Sequence, residues 1–360
     1  MFAYKRIAVK VGSNVLARQD GKLDVTRMSA LVDQVADLHK QGVEIVLVSS
    51  GAVASGRNEI KANKKLDAVS ARQLYSAVGQ AKLINRYYEL FREHGMVCGQ
   101  VLTTKENFSS RNHYLNQKHC MEVMLDNGVI PIVNENDTVS VTELMFTDND
   151  ELSGLIASMM KMDALIILSN VDGVYTGDPS DPSAYVIREI TGKEEAAAFV
   201  QPGKSSFGRG GMLTKCRIAR KVADEGITVI IANGKREHIL PGLLATDAPD
   251  VVCTRFLPSG KPSSSLKNWI AHSEGFAKGE IHLNRGATEA LLGPKAVSVL
   301  LVGVTRVAGT FEKDDIVRII SHEGNQVGVG CTAYDSVEAS ALAGQRDLKP
   351  LIHYDYFCLD

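Results

Sequence analysis

The sequence predicts an α/β protein: a mostly parallel sheet sandwiched between two helical layers, followed by a small, mainly β domain. Three observations carry this. Residues 1–255 alternate short, wholly apolar runs with amphipathic helical stretches. Strands that are apolar along their whole length are buried on both faces, as in parallel sheets covered by helices. Near residue 255 the composition shifts to Pro, Ser and Gly, and past residue 276 the segments become short and alternating. The expected division is a large domain over 1–255, a linker over 256–276 and a small β domain over 277–360.

In chain order, strands are expected at 7–11, 43–48, 97–102, 129–133, 164–168 and 227–231, each a short apolar run. Between the first two, Met28, Leu31, Val32, Val35 and Leu38 recur at helical spacing, and Gly42 stands where a helix ends. A longer helix over 70–94 ends in the same way at Gly95. A third covers 216–223, with Ile218, Ala219 and Val222 facing inward. In the tail, strands are expected at 280–284, 297–301, 315–320 and 326–332, with helices near 287–292 and 335–343.

Bulk properties narrow the class. Hydrophobic content of 44% and charged content of 23% are those of a soluble globular protein. A net charge of −2 exerts no chain-wide pull toward nucleic acid or an anionic membrane. No apolar run approaches the roughly 18–20 residues that span a bilayer. The start, MFAYKRIAVKVGSN, runs directly into a strand and carries no cleavage pattern, so a cytoplasmic location is expected. Cysteines 98, 120, 216, 253, 331 and 358 are scattered, with no CxxC or HExxH, which reads as free thiols and no protein metal site.

Chemistry is expected at the carboxyl ends of the strands, where open α/β sheets bind ligands. The most conspicuous such end follows residues 129–133. Glu135, Asp137, Glu143, Asp148, Asp150 and Glu151 fall there within seventeen positions. Acidic groups piled onto a strand end suit an ammonium group or a metal ion; the bland reading is a solvated loop. Glu143 and Glu151 are assigned to that bland class.

Two other strands end in small residues: Lys10-Val11-Gly12-Ser13-Asn14, and Ser49-Ser50-Gly51-Ala52 leading toward a helix. Small residues at such turns let backbone N–H groups and a helix N-terminus approach an anion. A third glycine site, Phe207-Gly208-Arg209-Gly210-Gly211-Met212-Leu213-Thr214-Lys215, leads into the helix over 216–223. It reads as a cover over nucleotide phosphates, with a lysine able to follow a phosphoryl group as it moves. Gly203-Lys204-Ser205 is rejected as a P-loop, because position 198 is Ala and no strand leads into it. The GxGxxA match at 328–333 is rejected because a dinucleotide βαβ unit does not fit in the chain that remains.

Together these segments resemble the amino acid kinase family. The matching stretches are VKVGSNVL (9–16), VSSGAVASGR (48–57), AVGQAKL (77–83), PIVNENDTV (131–139), TDND (147–150), DGVYTGDP (172–179) and GRGGMLTK (208–215). The tail from GEIHLNRGATEAL (279–291) resembles a PUA domain, so the likeness covers nearly the whole chain.

The resemblance implies ATP-dependent phosphorylation of the γ-carboxylate of L-glutamate, the first step toward proline. It places Lys10 and Lys215 on the transferring phosphoryl group and makes Asp150 the residue that orients them. It places Ser50, Asp137 and Asn149 on glutamate, beside Gly51, Ala52, Asn134 and Asp148. Gly12, Ser13, Ser169, Asn170 and the segment Arg209, Gly210, Gly211, Met212, Leu213, Thr214 join the two lysines around ATP. It further implies Mg²⁺ held by the nucleotide phosphates, feedback inhibition by proline, and a homodimer or homotetramer. Two departures from the family pattern lie on the nucleotide side: Asn170 where many relatives have Asp, and Arg209 in place of Thr.

Two rival functions remain open at this level. One is a sister kinase acting on N-acetylglutamate, aspartate, carbamate or a nucleotide. An acetylated amine has no charge and needs no acidic pocket, which favours a free amino acid. The other is RNA binding through the tail. Residues 277–360 hold eight Lys/Arg against eleven Asp/Glu, a balance of −3, which disfavours phosphate-backbone binding.

Overall fold

The computed structural model describes residues 2–18, 20–60, 63–109, 111–139, 146, 148–191, 211–246, 251–258, 269–270, 276–293 and 297–359. The chain forms two compact units: Met1–Lys105 with Lys118–Pro262, and Glu106–Gln117 with Ser263–Asp360.

In chain order the elements up to residue 256 are β1 (Arg6–Val11), α1 (Ser13–Leu16), α2 (Val25–Lys40), β2 (Glu44–Ser49), α3 (Ala52–Glu59), α4 (Ala68–Glu93), β3 (Val97–Thr103), α5 (Glu106–Ser109), α6 (Arg111–Asp126), β4 (Val129–Glu135), α7 (Asn149–Met159), β5 (Ala164–Ser169), β6 (Glu189–Ile190), α8 (Met212–Asp224), β7 (Thr228–Asn233), α9 (Ile239–Leu244) and β8 (Cys253–Phe256). The strands form one sheet in the order β3-β4-β2-β1-β5-β7-β8-β6. Every pairing is parallel except β7 with β8. The six strands expected here are present. Sequence reading missed β6 and β8.

One face of the sheet carries a core in which Ile7, Val9, Ile45, Leu47, Ile130 and Ile132 pack with Leu31 and Val35 of α2 and Leu83 and Tyr87 of α4. On β1, α7 packs against the strand and also against α8. That arrangement brings residues distant in sequence to the end of β1.

Helix ends follow local rules. Asp24 and Asp67 cap α2 and α4 by accepting from backbone N–H groups one turn on. Gly42 and Gly95, just past the same helices, have φ of +86° and +71°, a conformation that costs glycine nothing.

Close contact between α3 and α4 depends on two glycines. A Cβ on Gly79 would overlap the carbonyl oxygen of Ala52 and the amide of Gly56, and one on Gly56 would overlap the carbonyl of Tyr75. Backbone meets backbone here, which fixes α4 against α3.

In the second unit, β9 (Gly279–Leu283), β10 (Val304–Gly309), β11 (Ile316–Ile320), β12 (Gln326–Cys331) and β13 (Phe357–Leu359) form a sheet in the order β10-β9-β11-β12-β13. Ile281, Val317, Ile319, Leu351 and Phe357 form its core with Leu291 of α10 (Arg285–Leu292) and Ala339 of α11 (Ser336–Leu342). The strand expected at 297–301 is not one. Val299 makes only an isolated bridge to Ile352, Leu301–Gly303 is a single 3₁₀ turn, and the strand follows at β10. Phe108 and Tyr114 join this unit, where the Trp269 indole N–H donates to the Phe108 carbonyl at 2.8 Å.

The Gly79→Ala variant should lose about 3 kcal/mol of stability, because the helices must part to admit one methyl group. Urea unfolding of the two proteins measures the difference, and a loss within error of zero would show that the contact relaxes freely.

Candidate active site

The side chains singled out in the sequence gather at the carboxyl ends of β1, β2, β4 and β5 and at the first turns of α7 and α8. At their centre is Asp150, only 1% exposed. Lys10 Nζ lies 2.5 Å from Asp150 Oδ1 and Lys215 Nζ 2.8 Å from Oδ2. Lys10 belongs to β1, paired with Val48 on one side and Ile167 on the other, and is 5% exposed. Lys215 stands in the first turn of α8, whose N-cap is Gly211. Burial pulls the Asp150 carboxyl upward, but the two ammonium groups outweigh it and hold the carboxyl below its usual range.

The neighbouring carboxylate behaves oppositely. Asp148 caps α7, its Oδ1 accepting from the N–H groups of Asp150 and Glu151 at 2.9 and 3.0 Å. Its Oδ2 is buried and without a partner among the described residues. Burial first, and then the charge of Asp150, push its carboxyl up.

Asn149 ties two strand ends together, those of β2 and β4. Its Nδ2 donates toward Ser50 Oγ at 2.9 Å, Asn134 Oδ1 at 3.0 Å and the Ser49 carbonyl at 3.3 Å. Gly51 has φ of +109° at the N-cap of α3, whose first residue is the buried Ala52. Gly12 follows β1 and donates its N–H to the Leu168 carbonyl at 3.2 Å, and a Cβ there would lie 3.0 Å from the same oxygen. Ser13 opens α1. Ser169 ends β5 and its hydroxyl reaches Asn170 Oδ1 at 3.5 Å. Gly211, Met212, Leu213 and Thr214 lead into α8. Arg209, Gly210 and Glu143 lie outside the described residues.

Asp137 is not an isolated acid. Arg72 of α4 makes short ion pairs to Asp137 and reaches Glu135 at 2.6 Å. Ser76 donates to Asp137 Oδ2 at 3.2 Å, and Glu135 Oε1 accepts from the Phe146 N–H at 3.0 Å. Glu151, read from sequence as plain surface charge, is partly buried, with Lys105 at 3.6 Å. Arg72, Ser76 and Gln80 went unnoticed in the sequence. Their spacing of four was the available sign, a polar continuation of the buried stripe that runs on through Leu83 and Tyr87.

With this geometry in place, the comparisons with known proteins are clear. The amino acid kinase family model matches residues 5–233 and the PUA domain model residues 279–353. The chain belongs to the amino acid kinase family. Among curated relatives, the glutamate 5-kinase of Bacteroides thetaiotaomicron is 70% identical over 357 residues, covering 99% of each chain. That of Chlorobaculum tepidum is 48% identical over 359 residues, 99% of this chain and 98% of the relative. That of Pelobacter propionicus is 38% identical over 356 residues, 98% and 94% of the two chains. No helix among the described residues is long and apolar enough to cross a membrane.

The raised carboxyl of Asp148 sets a pH test. Its folded pKa stands above the unfolded value of about 3.9, so the fold loses stability as pH rises through the window between them. Asparagine keeps the helix cap and removes that loss. D148N should therefore gain stability over wild type as pH rises from below the unfolded value of about 3.9 toward neutrality, read by thermal melting. A constant difference across that range would contradict it.

Proposed function

We propose that the protein transfers the γ-phosphoryl group of ATP to the γ-carboxylate of L-glutamate, giving γ-glutamyl phosphate and ADP, the first step of proline biosynthesis. The observation that carries this reading is the cluster of Lys10, Lys215 and the buried Asp150 beside the strand ends, in a chain whose full-length relatives are glutamate 5-kinases. A γ-carboxylate has a reference pKa of about 4.3 and is already ionised at neutral pH. It attacks phosphorus without a general base. The obstacle is repulsion between two anions.

Lys10 and Lys215 relieve that repulsion. Both are held by Asp150, which keeps two ammonium groups side by side where they would otherwise repel each other. Preorganised charge of this kind acts most strongly as charge redistributes in the transition state. On this reading Ser50, Asn149 and Asn134 orient glutamate, and the turn at Gly51 and Ala52 offers backbone donors. Asp137 and the open oxygen of Asp148 favour the substrate's ammonium group over an acetylated amine. Gly12, Ser13, Ser169, Asn170 and the segment 209–215 take the nucleotide.

Among the described residues no three acidic, histidine or cysteine side chains converge as a metal cage. Mg²⁺ fits such a site when it binds through substrate phosphates and keeps several waters, neutralising phosphate charge. On the same reading the protein is a homodimer or homotetramer in the cytoplasm.

Hydroxylamine trapping of the acyl phosphate, run side by side with glutamate, N-acetylglutamate and aspartate, tests the assignment. Glutamate should be strongly preferred, and preference for either rival would overturn it. Lys10→Ala and Lys215→Ala should each lower kcat about a hundredfold or more; near-normal turnover in either removes that lysine from the mechanism. Proline should shift glutamate saturation to higher concentration by overlapping the pocket around 134–150. An unchanged curve would exclude that overlap.

A further inference from the structure

Tyr87 and Ser49 place two hydroxyl groups in the core, and neither has a part in the chemistry above. Tyr87 is 2% exposed and Ser49 0%, and their oxygens lie 2.8 Å apart. Polar groups so deeply buried are costly unless each finds a partner. What this pair holds in place is therefore worth tracing.

The direction of the bonds follows from the protons available. A serine hydroxyl donates one hydrogen bond and accepts others. Ser49 Oγ donates to the Ser50 carbonyl at 3.2 Å. With that proton spent, the Tyr87 O–H donates to Ser49 Oγ. Burial pushes the Tyr87 phenol up to about 12, which keeps its proton in place. A relay thus runs from Tyr87 through Ser49 to the Ser50 carbonyl.

Tyr87 reaches this point because of how α4 lies. Side chains of a helix lean toward its N-terminus. The N-terminal part of α4 carries Arg72 and Ser76, which meet Glu135 and Asp137 at the carboxyl end of β4. Tyr87 leans the same way, to Ser49 at the carboxyl end of β2.

Two consecutive peptides are fixed as a result. Between Ser49 and Ser50, the carbonyl accepts from Asn149 Nδ2 at 3.3 Å and the N–H donates to the Val11 carbonyl at 3.2 Å. Val11 follows Lys10 on β1. Between Ser50 and Gly51, the carbonyl accepts from Ser49 Oγ. The N–H of a trans peptide points opposite to its carbonyl, so the Gly51 N–H points away from the buried Ser49 hydroxyl. Without Tyr87, the Ser49 hydroxyl is free to rotate and the Ser50 carbonyl loses its fixed donor.

We infer that Tyr87 is a positioning residue for phosphoryl transfer: through Ser49 it sets the Ser50–Gly51 peptide so that the Gly51 N–H faces the reacting groups. This rests on the reading of the protein as a kinase whose turn at Gly51 faces the substrates.

Kinetics of Tyr87→Phe, Ser49→Ala and the double variant test it. Both changes remove one oxygen and leave the carbon framework of the core in place. Losing a transition-state donor outright costs about a hundredfold or more, and a donor that is present but loosely aimed costs less. Each single variant should therefore lower kcat about tenfold, with KM for glutamate and for ATP changed less than about threefold. The double variant should match Ser49→Ala instead of multiplying the two losses, because both residues act along one relay. Melting temperatures taken alongside separate aim from stability.

Losses that multiply in the double variant would overturn the inference while leaving the kinase reading intact. So would a lower melting temperature in Tyr87→Phe with kcat within about twofold of wild type, the mark of a bond that serves stability alone. A wild-type enzyme that does not phosphorylate glutamate would instead overturn the kinase reading, and the role given to the Gly51 N–H with it.

Discussion

One buried carboxylate shared by two ammonium groups is the constraint around which the first unit is arranged. Taking three charged groups out of water is costly unless each is paired with good geometry. Asp150 meets that condition only because β1, α7 and α8 bring their residues to one point. The helix carrying the acid must lie on the strand carrying one lysine and against the helix carrying the other. Parallel β1, flanked by β2 and β5, supplies a rigid mount for Lys10.

The two acids separated by one residue show how position within a helix turn decides chemistry. Asp148 precedes α7 and spends one oxygen on backbone N–H groups, so burial dominates its proton affinity. Asp150 lies one step inside the helix and faces the lysines, so their field dominates. Identical side chains, a few ångströms apart, are pushed in opposite directions. Asparagine between them has no charge to shift and acts instead as a connector of strand ends.

Much of this was legible in the sequence because it is local. Apolar runs marked six strands, helical spacing and trailing glycines marked α2 and α4, and small residues marked the turns after β1 and β2. Lys10, Asp150 and Lys215 carried motif-level resemblance. What stayed hidden depends on long-range contact. Arg72 is ordinary on a helix until the fold sets it against Glu135 and Asp137, more than sixty residues away. Strand β8 is four residues long and pairs antiparallel in an otherwise parallel neighbourhood, so no crossover pattern announces it. The strand expected at 297–301 failed for a related reason: its apolar residues fill the core from a bridge and a turn rather than from a ladder.

The start of α7 has a consequence for how such chains can vary. Asp148, Asn149, Asp150 and Glu151 are consecutive, yet they address the helix cap, the strand ends, the lysines and Lys105 in turn. An α-helix turns by about 100° per residue. Inserting or deleting one residue within this turn would rotate every later side chain onto its neighbour's target, placing an amide between the lysines or a carboxylate among the strand ends. The four residues cannot change in number or order without that loss, because their order is a phase rather than a composition.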